Sequence, residues 1–174
     1  MNGTVLSVNI SSRRGVAKKP VDGVMLRDDY GIEGDAHAGT GERQVSLLAW
    51  ESVEEQFELM EQKGVQCPKV NELTSRAGGP RPASDVGHAI SPGDYAENLT
   101  TRGVDLRGVK PGDVIRVGAD VRLEVTRIGK ECHEQCAVYE RLGDCVMPRE
   151  GVFSKVLAGG RVAPGDQVAV ETRV

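Results

Sequence analysis

The chain has 174 residues, with 22 basic and 26 acidic side chains for a formal net charge of −4. That length suits one domain spanning residues 1–174, with a core over about residues 4–170, large enough to bury roughly two-thirds of the unfolded surface without staples. Six aromatic residues and no basic tract argue against nucleic-acid stacking platforms, and no apolar run nears the roughly 18 residues that span a bilayer. Four cysteines are too sparse for a disulfide scaffold, so a cytoplasmic protein is expected.

In chain order, Thr4–Ile10 has the β-branched alternation of an opening strand. A basic loop follows over Ser11–Lys19, and Val21–Leu26 reads as a second strand. Arg43–Ala49 alternates, with Val45, Leu47 and Ala49 on one face and Gln44 and Ser46 on the other. The period then changes. Val53, Phe57 and Met60 recur at helical spacing, Ser52 and Glu55 form a capping-box pattern, and Gly64 is a stop, predicting a helix over Ser52–Lys63. Asn71–Pro92, with Gly78, Gly79, Pro80, Pro82 and Gly87, reads as a long surface loop.

The tripeptide Pro-Gly-Asp occurs at Pro92, Pro111 and Pro164, each the chemistry of a type II turn. Each precedes an expected strand: Tyr95–Leu99, Val114–Val117 and Gln167–Val170. Val121–Ile128 alternates cleanly as another strand, and Arg149–Ala158, between Pro148 and Gly159, reads as a helix. The fold class is therefore mainly β, an antiparallel β-barrel with two or three short peripheral helices.

Three segments carry candidate chemistry. In Gly31–Gly39, glycines permit close approach of a ligand, with Asp35 and His37 on the same side if the segment is extended; the alternative is a Gly-rich turn with an Asx cap and a solvated histidine. Cys132, His133, Cys136 and Cys145 follow the Val121–Ile128 strand, where a barrel mouth would open. Arg127 and Lys130 would favour a reactive Cys132 thiolate. The same four residues are also the ligand types of a zinc or iron–sulfur site, although no C-x2-C knuckle is present, and buried inert cysteines are the third reading. Cys67 reads as structural or merely exposed. In Gly93–Leu99, Glu97 and Asn98 would face opposite sides of a strand, and Asn98 is the cheaper to bury.

Taken in order, Gly31–His37, Arg43–Leu48, Gly93–Leu99, Gly112-Asp113 and the strand leading to Cys132 resemble a MOSC domain, the C-terminal domain of molybdenum cofactor sulfurases, from about Thr4 to Val170. The resemblance implies a small stand-alone bacterial type, a β-barrel with a cysteine at its pocket mouth, and sulfur transfer through a Cys132 persulfide. It places Asp35, His37, Arg43 and Asn98 at an anionic, pterin-like ligand related to the molybdenum cofactor. Arg43 and His37 would grip the anionic group, Asp35 would orient His37 and Asn98 would bond the heterocycle. Cys136 and Cys145 exceed the one-cysteine pattern and would resolve a persulfide or join a metal site with His133. Pyridoxal phosphate belongs to the sulfurase's separate aminotransferase-like domain and is not expected on this chain. The expected partners are the small anionic ligand and a sulfur-donor protein such as a cysteine desulfurase, with no nucleic acid and no membrane. Whether the protein is an enzyme, a sulfurtransferase, or a non-catalytic cofactor carrier stays open at this level, as does a small metal or iron–sulfur protein.

Overall fold

A computed structural model describes residues 2–63, 90–132, 139 and 144–171. Its centre is a closed barrel of seven strands. The strands are β1 (Asn2–Ile10), β5 (Val45–Ala49), β6 (Leu99–Arg102), β7 (Val114–Val117), β8 (Val121–Ile128), β9 (Val152–Ala158) and β11 (Gln167–Glu171). They pair in the order β11-β7-β8-β9-β5-β6-β1, and β1 returns to β11 to close the sheet. All these pairings are antiparallel except β5 with β6. Closure falls to β1, which pairs with β11 at Asn2–Thr4 and then with β6 across an irregularity between Val5 and Ser7. It also carries β2 (Lys19–Val21) at its far end. A small second sheet joins β10 (Gly160–Val162), β3 (Val24–Arg27) and β4 (Gly31–Ile32).

The interior is filled by branched aliphatics such as Val5, Leu47, Leu99, Ile115, Leu123, Val125, Val156 and Val168. A second cluster lies on the outer side and contains Leu48, Trp50, Val53, Phe57, Ile90, Tyr95, Met147 and Phe153. Strand β5 separates the two. Val45, Leu47 and Ala49 point inward and Leu48 points into the outer cluster, as a period of two requires. Helix α1 (Trp50–Gln62) packs on the barrel through Val53 and Phe57, with Met60 half-buried beside them.

The three Pro-Gly-Asp sites are turns of one construction. The Asp N–H donates to the carbonyl of Ser91, Lys110 or Ala163 at 3.1, 3.0 and 3.2 Å. The Asp carboxylate accepts from the N–H of that same residue at 2.9, 2.8 and 2.8 Å. Gly93, Gly112 and Gly165 have φ of 91°, 95° and 93°, the left-handed position such turns reserve for glycine. At Gly93 the backbone is also crowded: a Cβ there would lie 2.5 Å from the Lys18 carbonyl oxygen.

Several expectations are corrected. Val21–Leu26 is not one strand: the chain breaks at Asp22-Gly23, and its halves belong to different sheets. Tyr95–Leu99 is not a strand either, because a turn at Pro92–Tyr95 leads into Ala96 at φ 66° and pairing begins only at Leu99. Nor is Arg149–Ala158 a helix. A short α2 (Met147–Glu150) stops before Gly151, and Val152–Ala158 is β9, paired on both edges with β5 and β8. Cross-strand partners for Val152, Phe153 and Val156 outweigh the helical spacing there. Helix α1 starts at Trp50, with Ala49 as an N-cap lacking a side-chain bond, because β5 runs straight into it. Ser52 is consequently inside the helix, buried, and hydrogen-bonded to the Glu150 carboxylate. Gly64, and Asn71–Pro92 up to residue 89, lie outside the described residues.

Candidate functional site

One pocket gathers chain segments distant in sequence. His37 comes from the loop after β4, Arg43 from the approach to β5, and Ser46 from the outward face of β5 itself. Tyr95 and Ala96 come from the turn before β6, Lys130 and Cys132 from just beyond β8. Cys145, Met147 and Phe153 complete the wall, with Gly15 at its rim. Because Val45 and Leu47 fill the barrel interior, Ser46 between them faces outward. The pocket therefore lies against the outside of the barrel wall, over the second cluster, and not in a barrel mouth, whose interior is packed with side chains.

Asp35 and His37 sit in a pair of tight turns, not on one side of an extended segment. The Asp35 Oδ1 accepts from the His37 backbone N–H at 3.0 Å, an Asx-type bond, and Oδ2 accepts from the Ser11 N–H at 3.1 Å. The sequence reading missed the third member. Lys18 is buried, its Nζ donating to Asp35 Oδ2 at 2.6 Å and standing 3.3 Å from His37 Nδ1. Burial works to raise the Asp35 pKa, but the hydrogen bonds from His37 and Lys18 outweigh it and hold the carboxyl well below the usual carboxylate range. His37 Nδ1 also stands 3.4 Å from Asp35 Oδ1, so it meets the ammonium as an acceptor in one tautomer and the carboxylate as a donor in the other. The His37 side chain is one-third exposed, on the pocket side of a buried ion pair.

Arg43 is exposed, its guanidinium carbon 6.0 Å from the centroid of Phe153, at the outer limit of a cation–π contact. Neither Arg43 nor Lys130 has a carboxylate partner among the described residues. Arg127, the other base expected near the thiol, does not line the pocket. Cys132 is exposed and Cys145 buried, both on the pocket wall. Cys145 is anchored through its neighbour: Asp144 takes two bonds from Arg149 at 3.1 and 3.0 Å and one from the Cys145 N–H at 2.8 Å. Cys67, His133 and Cys136 lie outside the described residues, and among the described residues no group of three ligands is placed to hold a metal.

Asn98 is not brought into the pocket. Fully buried, it accepts from the Ser46 N–H and Oγ–H at 3.1 Å each and donates from Nδ2 to the Asn9 carbonyl at 3.2 Å. Its amide braces β5 against β1 and positions Ser46. Glu97, the costlier of the two to bury, is also fully buried. Its Oε1 accepts from the Gly93 N–H and from Thr100 Oγ1, both at 2.6 Å, while Oε2 has no partner among the described residues. Burial pushes its pKa up to about 7, against the pull of the Thr100 and Gly93 hydrogen bonds. No sequence signal separated Lys18 from the other bases of its loop. The chemistry of Tyr95 was equally hidden, because its burial depends on α1 and α2.

Comparison with known proteins agrees with this architecture. The family model described as MOSC domain matches residues 34–169. No curated protein matches the chain. Among solved structures, the YUAD protein from Bacillus subtilis superposes with a TM-score of 0.69 at 18% identity, covering 100% of this chain and 98% of that one. YiiM from Escherichia coli gives 0.60 at 20% identity, covering 100% and 71%. YiiM from Geobacillus stearothermophilus gives 0.61 at 18%, covering 98% and 76%. At such identities the likeness is one of fold.

Proposed function

Because this chain belongs to the MOSC domain family, we propose that its pocket binds an anionic, pterin-like ligand related to the molybdenum cofactor and that Cys132 carries sulfur to it as a persulfide. One observation carries this reading: the exposed Cys132 shares a pocket wall with Arg43 and Lys130, two bases with no carboxylate partner among the described residues. Arg43 offers a two-pronged donor for an oxoanion, Lys130 a point charge, and His37 an imidazole edge held in place by Lys18 and Asp35.

In the loading step the Cys132 thiolate attacks the outer sulfur of a donor persulfide. The donor's S–S bond breaks, the donor leaves as a thiolate, and the outer sulfur remains on Cys132 with no net oxidation. Lys130 and Arg43 then stabilise the anionic persulfide beside the ligand. A donor protein of the cysteine desulfurase class supplies the sulfur. The ligand is substrate or cargo, and the donor set fits its anionic group.

The test is intact-mass analysis after exposure to a small-molecule persulfide. Wild-type protein gains sulfur that a reductant removes, and Cys132→Ser abolishes the gain at that site. Retained ligand binding with no sulfur uptake on Cys132 would turn the reading into a cofactor carrier.

A further inference from the structure

Tyr95 is 1% exposed, yet its hydroxyl has no hydrogen-bond partner among the described residues. Its ring is part of the outer cluster with Trp50, Phe57, Ile90 and Met147, and the residue also walls the pocket. Phenylalanine would fill that apolar space equally well without burying an unpartnered hydroxyl, which costs on the order of 1–3 kcal/mol. Of the buried side chains with an unpartnered polar atom among the described residues, Tyr95 is the one that lines the pocket. We propose that the Tyr95 hydroxyl is a ligand-binding group, donating a hydrogen bond to an uncharged acceptor, a carbonyl oxygen or ring nitrogen, on the same molecule whose anionic group faces Arg43 and Lys130. This assignment rests on reading the pocket as an anion site.

The surroundings define the ligand class. Burial raises the Tyr95 pKa far above the usual phenol value, and the nearby Asp144 and Asp94 carboxylates add to it. The hydroxyl is therefore a permanent donor. The same acidic neighbours disfavour an anion at this side of the pocket, which leaves the charge of the ligand to Arg43 and Lys130 on the wall they share with Cys132. A molecule with charge at one end and a neutral acceptor at the other satisfies both sides. Asn98, the amide expected to meet that acceptor, is already committed to Ser46 and Asn9.

Tyr95→Phe keeps the ring and deletes the donor. Two probes are titrated against the full chain: pterin-6-carboxylate, which carries both an anion and neutral acceptors, and inorganic phosphate, which has no separate neutral acceptor group. The variant should bind pterin-6-carboxylate about fivefold to tenfold more weakly, the scale of one neutral hydrogen bond, and bind phosphate as wild type does. Its Tm should equal or exceed that of wild type. Unchanged pterin-6-carboxylate affinity, wild-type binding of phosphate alone, or a Tm lowered by several degrees would each overturn the assignment. If wild-type protein binds neither probe, the anion-site reading itself falls and takes this assignment with it, an outcome distinct from an unaltered Tyr95→Phe.

Discussion

Lys18 Nζ stands 2.6 Å from Asp35 Oδ2, and both side chains are sealed from solvent. A buried pair of this kind is costly to break from one side, because the surviving charge keeps its desolvation penalty and loses its partner. Lys18→Met should therefore destabilise the fold by about 3–5 kcal/mol in denaturant titration. The Lys18→Met/Asp35→Asn double variant, which removes the charge and keeps an acceptor for the Ser11 and His37 N–H groups, should recover part of that loss. Nitrogen-15 NMR should show the His37 tautomer balance move toward Nδ1–H when Lys18 is removed, because Asp35 Oδ1 is then left facing Nδ1. A small loss for Lys18→Met, or no recovery in the double variant, would show that the pair is not the unit described.

The buried Glu97 makes stability depend on pH in a defined direction. Burial pushes its carboxyl up to about 7 in the folded chain against an ordinary value of 4.5, so between those limits the folded state holds a proton that the unfolded state has released. Stability from this group is complete below the unfolded value and is lost as pH rises through the folded one, by about 3 kcal/mol. Glu97→Gln keeps the acceptor for Gly93 and Thr100 and carries no charge. Measured against wild type, it should be comparable at pH 4 and the more stable protein at pH 8. A difference that does not change with pH would remove Glu97 as the source.

Ala96 has a φ of 66° on the pocket wall, a left-handed conformation that costs a Cβ-bearing residue about 1–2 kcal/mol. Part of any gain from relieving it is offset by the greater freedom of glycine in the unfolded chain. Ala96→Gly should thus raise stability by up to about 1 kcal/mol in thermal or denaturant melts. A loss would show that the methyl group contributes packing greater than the strain.

Arg43 is exposed, and among the described residues only the distant ring of Phe153 holds it. Arg43→Ala should leave the melting temperature nearly unchanged while weakening phosphate binding by about 1.5–3 kcal/mol, the scale of a hydrogen bond to a charged group. Isothermal titration reads both the affinity and its decline with salt. Equal phosphate affinity in the two proteins would place the anion elsewhere.

Much of the barrel is legible in the sequence because its signals are local. The alternation of Val121, Leu123 and Val125 specifies β8 wherever its partners lie, and Pro-Gly-Asp specifies its turn from four consecutive residues. Helix α1 announces itself through Val53 and Phe57 for the same reason. Residues 152–158 do not, since their spacing suits a helix or a strand, and only the two neighbouring strands decide between them. The site divides along the same line. His37 and Cys132 could be named from their chemistry and Arg43 from the resemblance to MOSC domains, but a side chain's burial is set by segments dozens of residues away. That is why Lys18, buried against a loop seventeen residues on, looked like one more surface base, and why Asn98 looked free to meet a ligand when Ser46 and Asn9 already hold it. Residue type sets what a group can donate or accept, and the packing of distant strands decides whether anything is left to donate.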